Sequence, residues 1–87
     1  MELKDLREEI DKIDRALFPL FLKRMDIAAQ VADYKKAHNL PIYVPSREQE
    51  ILQGLAEQAG PEMADYVQQL YKTIFALSKD YQAKRNK

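Results

Sequence analysis

Three cations stand along the first amphipathic run of the chain, Arg7, Arg24 and Lys35, and they are the first residues to suggest chemistry. Apolar residues recur there as Leu3, Leu6, Ile10, Ile13, Leu17 and Leu20, and resume at Ile27, Val31 and Tyr34. That three-four alternation marks one face of a helix. Arg24 takes a place where the alternation calls for an apolar side chain. A guanidinium on a buried face is costly unless something anionic meets it, so the run reads as the carrier of a site for a small anion. Polar residues intrude on or beside expected inward faces again at Glu48, Ser78 and Gln82.

The spacing of the cations says how such a site is assembled. Arg24 and Lys35 lie eleven residues apart, within about 20° of three full turns, so they share a face with their Cα atoms about 16 Å apart along the axis. Two long side chains can converge over that distance and leave room for a small molecule. Arg7 is 28 residues from Lys35, roughly 42 Å along the same rod, and cannot join them within one chain. In an antiparallel pair of rods the partner's copy of this residue reaches the site. Two guanidiniums and an ammonium suit a dianion, because arginine pairs with carboxylate in bidentate fashion. Glu48 can accept from a ligand hydroxyl, and Lys35 and Gln82 can donate to an ether or carbonyl oxygen.

Each residue alone has a plainer reading. An arginine on a helical seam can set register or snorkel, Lys35 beside Lys36 suits a helix C-terminus, and Ser78 can bond its own helix backbone. Arg47 and Glu48 at a helix start are commonly solvated. His38, at a helix end, reads as a bystander. The convergence of several intrusions carries the functional reading.

The elements that must position these groups are three helices, so the fold class is all-α. Helix one spans about residues 3–38, with Pro19 as its internal breaker; the apolar stripe keeps register on both sides, which predicts one kinked helix. Some 35 residues make a rod of roughly 50 Å, longer than the about 30 Å diameter of a compact globule of this chain length. Its protruding stripe therefore calls for a second copy, and a homodimer follows. Residues 39–45, with Pro41 and Pro45, read as an extended connector. Ser46 to Gln49 predicts a capping box opening helix two, about 47–58, with Ile51, Leu52, Leu55, Ala56 and Ala59 facing inward. Gly60 and Pro61 separate it from helix three, about 62–83, whose inward face is Met63, Tyr66, Val67, Leu70, Tyr71, Ile74, Phe75 and Leu77. The closing Lys84, Arg85, Asn86 and Lys87 suit a helix C-terminus or frayed tail.

Composition narrows the function classes. With 87 residues the chain reads as one domain, and 14 basic residues balance 14 acidic ones. No global field draws nucleic acid or an anionic membrane. There is no cysteine and a single histidine, so neither thiolate chemistry nor a zinc centre is expected. No stretch has signal-peptide or membrane-spanning character, and a cytoplasmic protein is expected.

Residues across nearly the whole chain then match a known pattern: Leu6 to Asp14 (LREEIDKID), Arg24-Met25 followed by Ile27 to Lys35, Pro41-Ile42-Tyr43 with Arg47-Glu48, and Ser78 with Gln82. In this order and spacing they resemble the all-helical class of chorismate mutases, the chorismate mutase type II family. The resemblance implies one domain over residues 1–87, a three-helix protomer in an intertwined homodimeric bundle. It implies conversion of chorismate to prephenate by an intramolecular Claisen rearrangement without cofactor or metal, in phenylalanine and tyrosine biosynthesis. By position, Arg24 resembles the same-chain carboxylate clamp and Arg7 the clamp from the partner chain. Lys35 and Gln82 resemble the pair on the ether oxygen. Glu48 is similar to the acid that holds the ring hydroxyl, with Arg47 supporting it and Ser78 near a substrate carboxylate.

One position departs from the pattern. The family commonly has an aspartate three residues before the Arg-Glu pair, and here that place is Val44: if the usual contact is made by the backbone amide, Val44 still provides it, and if it is made by the carboxylate, hydroxyl recognition rests on Glu48 alone. An isochorismate-pyruvate lyase on the same fold and a non-catalytic dimerisation or regulatory module are the competing readings.

Overall fold

The computed structural model describes residues 2–85 and contains three helices and no strand among them: α1 (Leu3–Ala37), α2 (Pro45–Ala59) and α3 (Ala64–Arg85). The all-α class expected from periodicity is the class observed. Asn86 and Lys87, expected in a helix C-terminus or a frayed tail, lie outside the described residues.

Helix α1 opens at Glu2, in extended conformation, whose amide donates to the Asp5 carboxylate at 3.2 Å. The acid also sits favourably at the positive end of the helix dipole. The helix runs unbroken through Pro19, because the apolar stripe holds its register on either side of the lost backbone bond. It stops where Asn39 turns left-handed at φ 55°, a conformation asparagine tolerates better than most residues. The amides of His38 and Leu40 close the last turn onto the carbonyls of Tyr34 (3.1 Å) and Lys35 (2.8 Å). His38 stacks on Tyr34 with ring centroids 4.0 Å apart, and its Nδ1 lies 2.9 Å from the Tyr34 carbonyl.

Helix α2 begins differently from the capping-box expectation. Val44 is the N-cap residue, no side chain caps the helix, and Pro45 takes a first-turn position. Proline with its preset φ and missing N–H suits that position, so the helix starts before Ser46 and leaves the hydroxyl nothing to cap. Gly60 ends α2 at φ 84°, and its carbonyl accepts from the amides of Met63 (3.2 Å) and Ala64 (2.9 Å). Glu62 and Met63 thus form a turn ahead of α3.

Helix α3 packs on both α1 and α2, which do not pack on each other among the described residues. Ala29 and Ala32 are buried where α3 meets α1; their small size lets the two backbones approach. Leu52 and Phe75 complete a small core, and Gln68 Nε2 donates to the Leu52 carbonyl at 3.5 Å. At the far end Arg85 Nη2 lies 2.7 Å from Asp33 Oδ2, which ties the last turn of α3 to α1 and raises the guanidinium pKa further.

The inward face expected for α3 is half right. Val67, Tyr71, Ile74 and Phe75 are covered, whereas Met63, Tyr66, Leu70 and Leu77 are exposed in the single chain. The helix carries two apolar faces, and only one meets α1 and α2. The first half of α1 is barer still. Leu3, Leu6, Ile10, Ile13, Leu17 and Leu20 are 46–63% exposed. The protomer measures 54 × 27 × 15 Å, and its radius of gyration of 16.2 Å exceeds the about 12 Å of a compact chain this long. None of the three helices is long and apolar enough to cross a membrane.

Candidate active site

A cleft of about 370 Å³ opens where the second half of α1, the start of α2 and the last turns of α3 converge. Arg24 enters it from α1. Residues three, four and seven further on, Ile27, Ala28 and Val31, give the cleft an apolar floor, and Lys35 closes the row one more turn along. This is the shared helical face expected from the eleven-residue spacing.

Arg24 is half-buried, and its Nη1 donates to Ser78 Oγ at 3.3 Å. Its guanidinium carbon lies 6.0 Å and 5.8 Å from the ring centroids of Tyr71 and Phe75, near the limit of cation–π attraction. The Ser78 hydroxyl lies 3.7 Å from Met25 Sδ. Ser78 therefore does not spend its hydroxyl on its own helix backbone, as its residue type alone predicts, but spans α3 and α1. Lys35 Nζ donates to the carbonyl of Ile42 at 3.0 Å, so the connector fixes the ammonium and leaves two of its three protons free. Among the described residues neither Arg24 nor Lys35 has a carboxylate partner.

Gln82 and Ser78 are the two buried polar residues of the protein's described part. Gln82 Oε1 is buried and accepts no hydrogen bond. A buried orphan of this kind costs about 1–3 kcal/mol, and the Gln82 side chain that carries it stands in the cleft wall.

Glu48 and Arg47 reach the cleft from the first turn of α2. Glu48 is the one carboxylate lining it among the described residues. Its partner is a residue that the sequence does not single out: Lys79 Nζ lies 3.3 Å from Glu48 Oε2 and 3.5 Å from Oε1, and 4.1 Å from the centroid of Tyr43. Lys79 follows Phe75 by four residues and precedes Gln82 by three, which places it on the same helical face as both.

The cleft thus gathers Arg24, Lys35, Arg47, Glu48, Ser78 and Gln82 from the candidate set, with Lys79 added. Two candidates stand apart. Val44 starts α2, its carbonyl accepting from the amides of Arg47 (3.1 Å) and Glu48 (3.4 Å), and does not line the cleft. Arg7 lies on the exposed first half of α1, about 26 Å along the axis from Arg24. Four cations against one carboxylate line the cleft, a charge balance and a size that suit a small anion.

Comparison with known proteins finds relatives of the chain. Residues 6–83 match the chorismate mutase type II family. A T-protein of Haemophilus influenzae is 52% identical over 61 residues, covering 67% of this chain and 16% of that protein. The 4-amino-4-deoxychorismate mutase of Streptomyces venezuelae is 37% identical over 46 residues, 53% of this chain and 45% of that one. The chain therefore spans less than half the length of these relatives. Among solved structures, a conserved hypothetical protein from Pyrococcus furiosus superposes with a TM-score of 0.76 at 39% identity, covering 92% of this chain and 93% of that chain.

Proposed function

The chain belongs to the chorismate mutase type II family, and from that premise we propose that it converts chorismate to prephenate on the pathway to phenylalanine and tyrosine. The observation that carries the reading is the pair Arg24 and Lys35, half-buried on one cleft and lacking any carboxylate partner among the described residues. Two half-buried cations that share a cleft and have only neutral partners leave their charge to be met by an anionic ligand.

In the proposed reaction the ether C–O bond of chorismate breaks while a C–C bond forms within the same molecule. Substrate and product are isomers, so no external nucleophile, oxidant or reductant enters the balance. Catalysis then consists of holding the reactive conformer and stabilising charge on the departing oxygen. Arg24 clamps one substrate carboxylate, with Ser78 orienting its guanidinium at 3.3 Å. Lys35, already fixed by the Ile42 carbonyl, and the Gln82 amide donate to the ether oxygen. Glu48 accepts from the ring hydroxyl, flanked by Arg47.

The second carboxylate clamp is Arg7 of a second copy. Seven large apolar side chains from Leu3 to Leu20, Phe18 among them, lie about half open on α1, and completing the burial of each is worth roughly half of the about 1.5–3 kcal/mol of a full burial. An antiparallel pairing of the long helices covers this stripe and carries the partner's Arg7 toward Arg24 and Lys35. The proposal is accordingly a homodimer with two shared sites. A dianionic substrate, which does not readily enter hydrocarbon, fits the cytoplasmic location expected from the sequence.

The test is direct. The purified chain, shown folded and dimeric, should consume chorismate and yield prephenate with no added metal; a rate no higher than background refutes the assignment. Pyruvate released from isochorismate would instead identify a lyase.

A further inference from the structure

Glu48 does not face the cleft as a bare carboxylate. Lys79 reaches both of its oxygens, at 3.3 Å and 3.5 Å, and its ammonium is also seated on the Tyr43 ring at 4.1 Å. Both side chains of the pair are largely covered, 35% and 23% exposed, so the pair is less screened than a surface ion pair. No second carboxylate lines the cleft among the described residues, and the residue three before Arg47 is Val44.

These contacts determine what Glu48 can recognise. A carboxylate standing alone would accept a hydroxyl donor and would attract an ammonium more strongly still. With its charge already met by Lys79, Glu48 keeps free lone pairs for a neutral O–H donor but offers no net charge to a cation. An ammonium placed on Glu48 would also stand beside the Lys79 ammonium. Like charges brought together in a partly covered site oppose binding, which is how a site rejects a wrong ligand.

We infer that Lys79 is a specificity-determining residue, which holds Glu48 in a charge-compensated state so that the site accepts a ring hydroxyl and rejects an amino group at the same ring position. This rests on the chorismate reading above and deepens it. The Tyr43 contact belongs to the same device, since it keeps the ammonium from swinging aside.

The experiment compares kcat/KM for chorismate and for 4-amino-4-deoxychorismate in the wild-type protein, Lys79→Met and Lys79→Arg. The wild type should prefer chorismate. Lys79→Met should lower the chorismate-to-amino ratio by about tenfold or more, with the gain falling on the amino substrate, while Lys79→Arg should keep the ratio. Should Lys79→Met fail to fold by circular dichroism, Lys79→Gln is measured in its place. A ratio unmoved by loss of the charge, or a wild type that prefers the amino substrate, overturns the inference and leaves a mutase standing. A folded wild type that turns over neither substrate overturns the chorismate reading itself, and this inference with it.

Discussion

Arg24 and Ser78 meet across 54 residues of sequence, Nη1 to Oγ at 3.3 Å, and this contact joins α1 to α3 at the mouth of the cleft. The serine is a neutral acceptor. It fixes the direction of the guanidinium without neutralising it, so the charge stays available to a ligand. The same serine lies 3.7 Å from Met25 Sδ and thereby holds two successive residues of α1.

Arg24→Lys should therefore be no conservative change. Lysine keeps the charge but loses the planar fork that pairs two oxygens at once, and its ammonium lacks the reach to bond Ser78 and a carboxylate together. Activity on chorismate should fall on the order of 10²–10³ in kcat/KM. Ser78→Ala should leave the guanidinium present but undirected, for a loss of about tenfold. Steady-state kinetics on the two variants, with circular dichroism to establish folding, checks both; equal losses would show that Ser78 does more than orient.

Gln82 sets stability against activity. Its Oε1 is buried with no partner among the described residues, and removing such an atom in favour of an apolar group of similar shape is neutral or stabilising. Gln82→Met should hold or raise the melting temperature by a few degrees, given roughly 4–8 °C per kcal/mol for a domain of this size. The same change should lower kcat on the order of 10²–10³, as expected for loss of one preorganised donor. Thermal melts and turnover measured on one preparation test the pair of claims; a destabilised but active variant would contradict both.

What the sequence made legible follows the strength of each local signal. The three helices are readable because the three-four periodicity is long and the breakers cluster at residues 39–45 and at Gly60-Pro61. Arg24, Ser78 and Gln82 are readable because they interrupt apolar stripes. Lys79 is not, since a lysine next to Ser78 looks like any solvated lysine until the third dimension brings Glu48 and Tyr43 to it. The capping box at Ser46 fails for a local reason, because Pro45 already takes a first-turn position and moves the cap to Val44. Leu70 and Leu77 look inward on periodicity alone, yet a helix with two apolar faces shows only one of them to its own chain.

The Arg85–Asp33 pair is a surface clasp, and its pH behaviour has a definite sign. Pairing raises the Arg85 pKa, and a raised pKa stabilises the fold at every pH below the unfolded value and loses that effect only as pH climbs through the folded one. Both values lie far above neutrality, so stability should be flat in this contribution from about pH 6 to 9. Asp33→Asn should shift the melting temperature little, as exposed pairs generally do, and equally at each pH. Melts of both proteins across that range would expose a steeper dependence if another titrating group governs the end of α3.

The shared site can be tested by mixing two dead proteins. If each site takes Arg24 from one chain and Arg7 from the other, Arg7→Ala homodimers lack the partner clamp in both sites, and Arg24→Ala homodimers lack the same-chain clamp in both. A mixed dimer is different. One of its sites lacks both arginines, whereas the other draws Arg24 from the Arg7→Ala chain and Arg7 from the Arg24→Ala chain, and is whole. Random exchange of equal amounts makes about half the dimers mixed, so about a quarter of all sites should recover. Turnover should rise to about that fraction of wild type as exchange, followed by native mass spectrometry on a mass-tagged chain, reaches equilibrium. Full exchange without recovery would separate Arg7 from the site, whereas an Ile13→Asp substitution that abolishes exchange should abolish recovery as well.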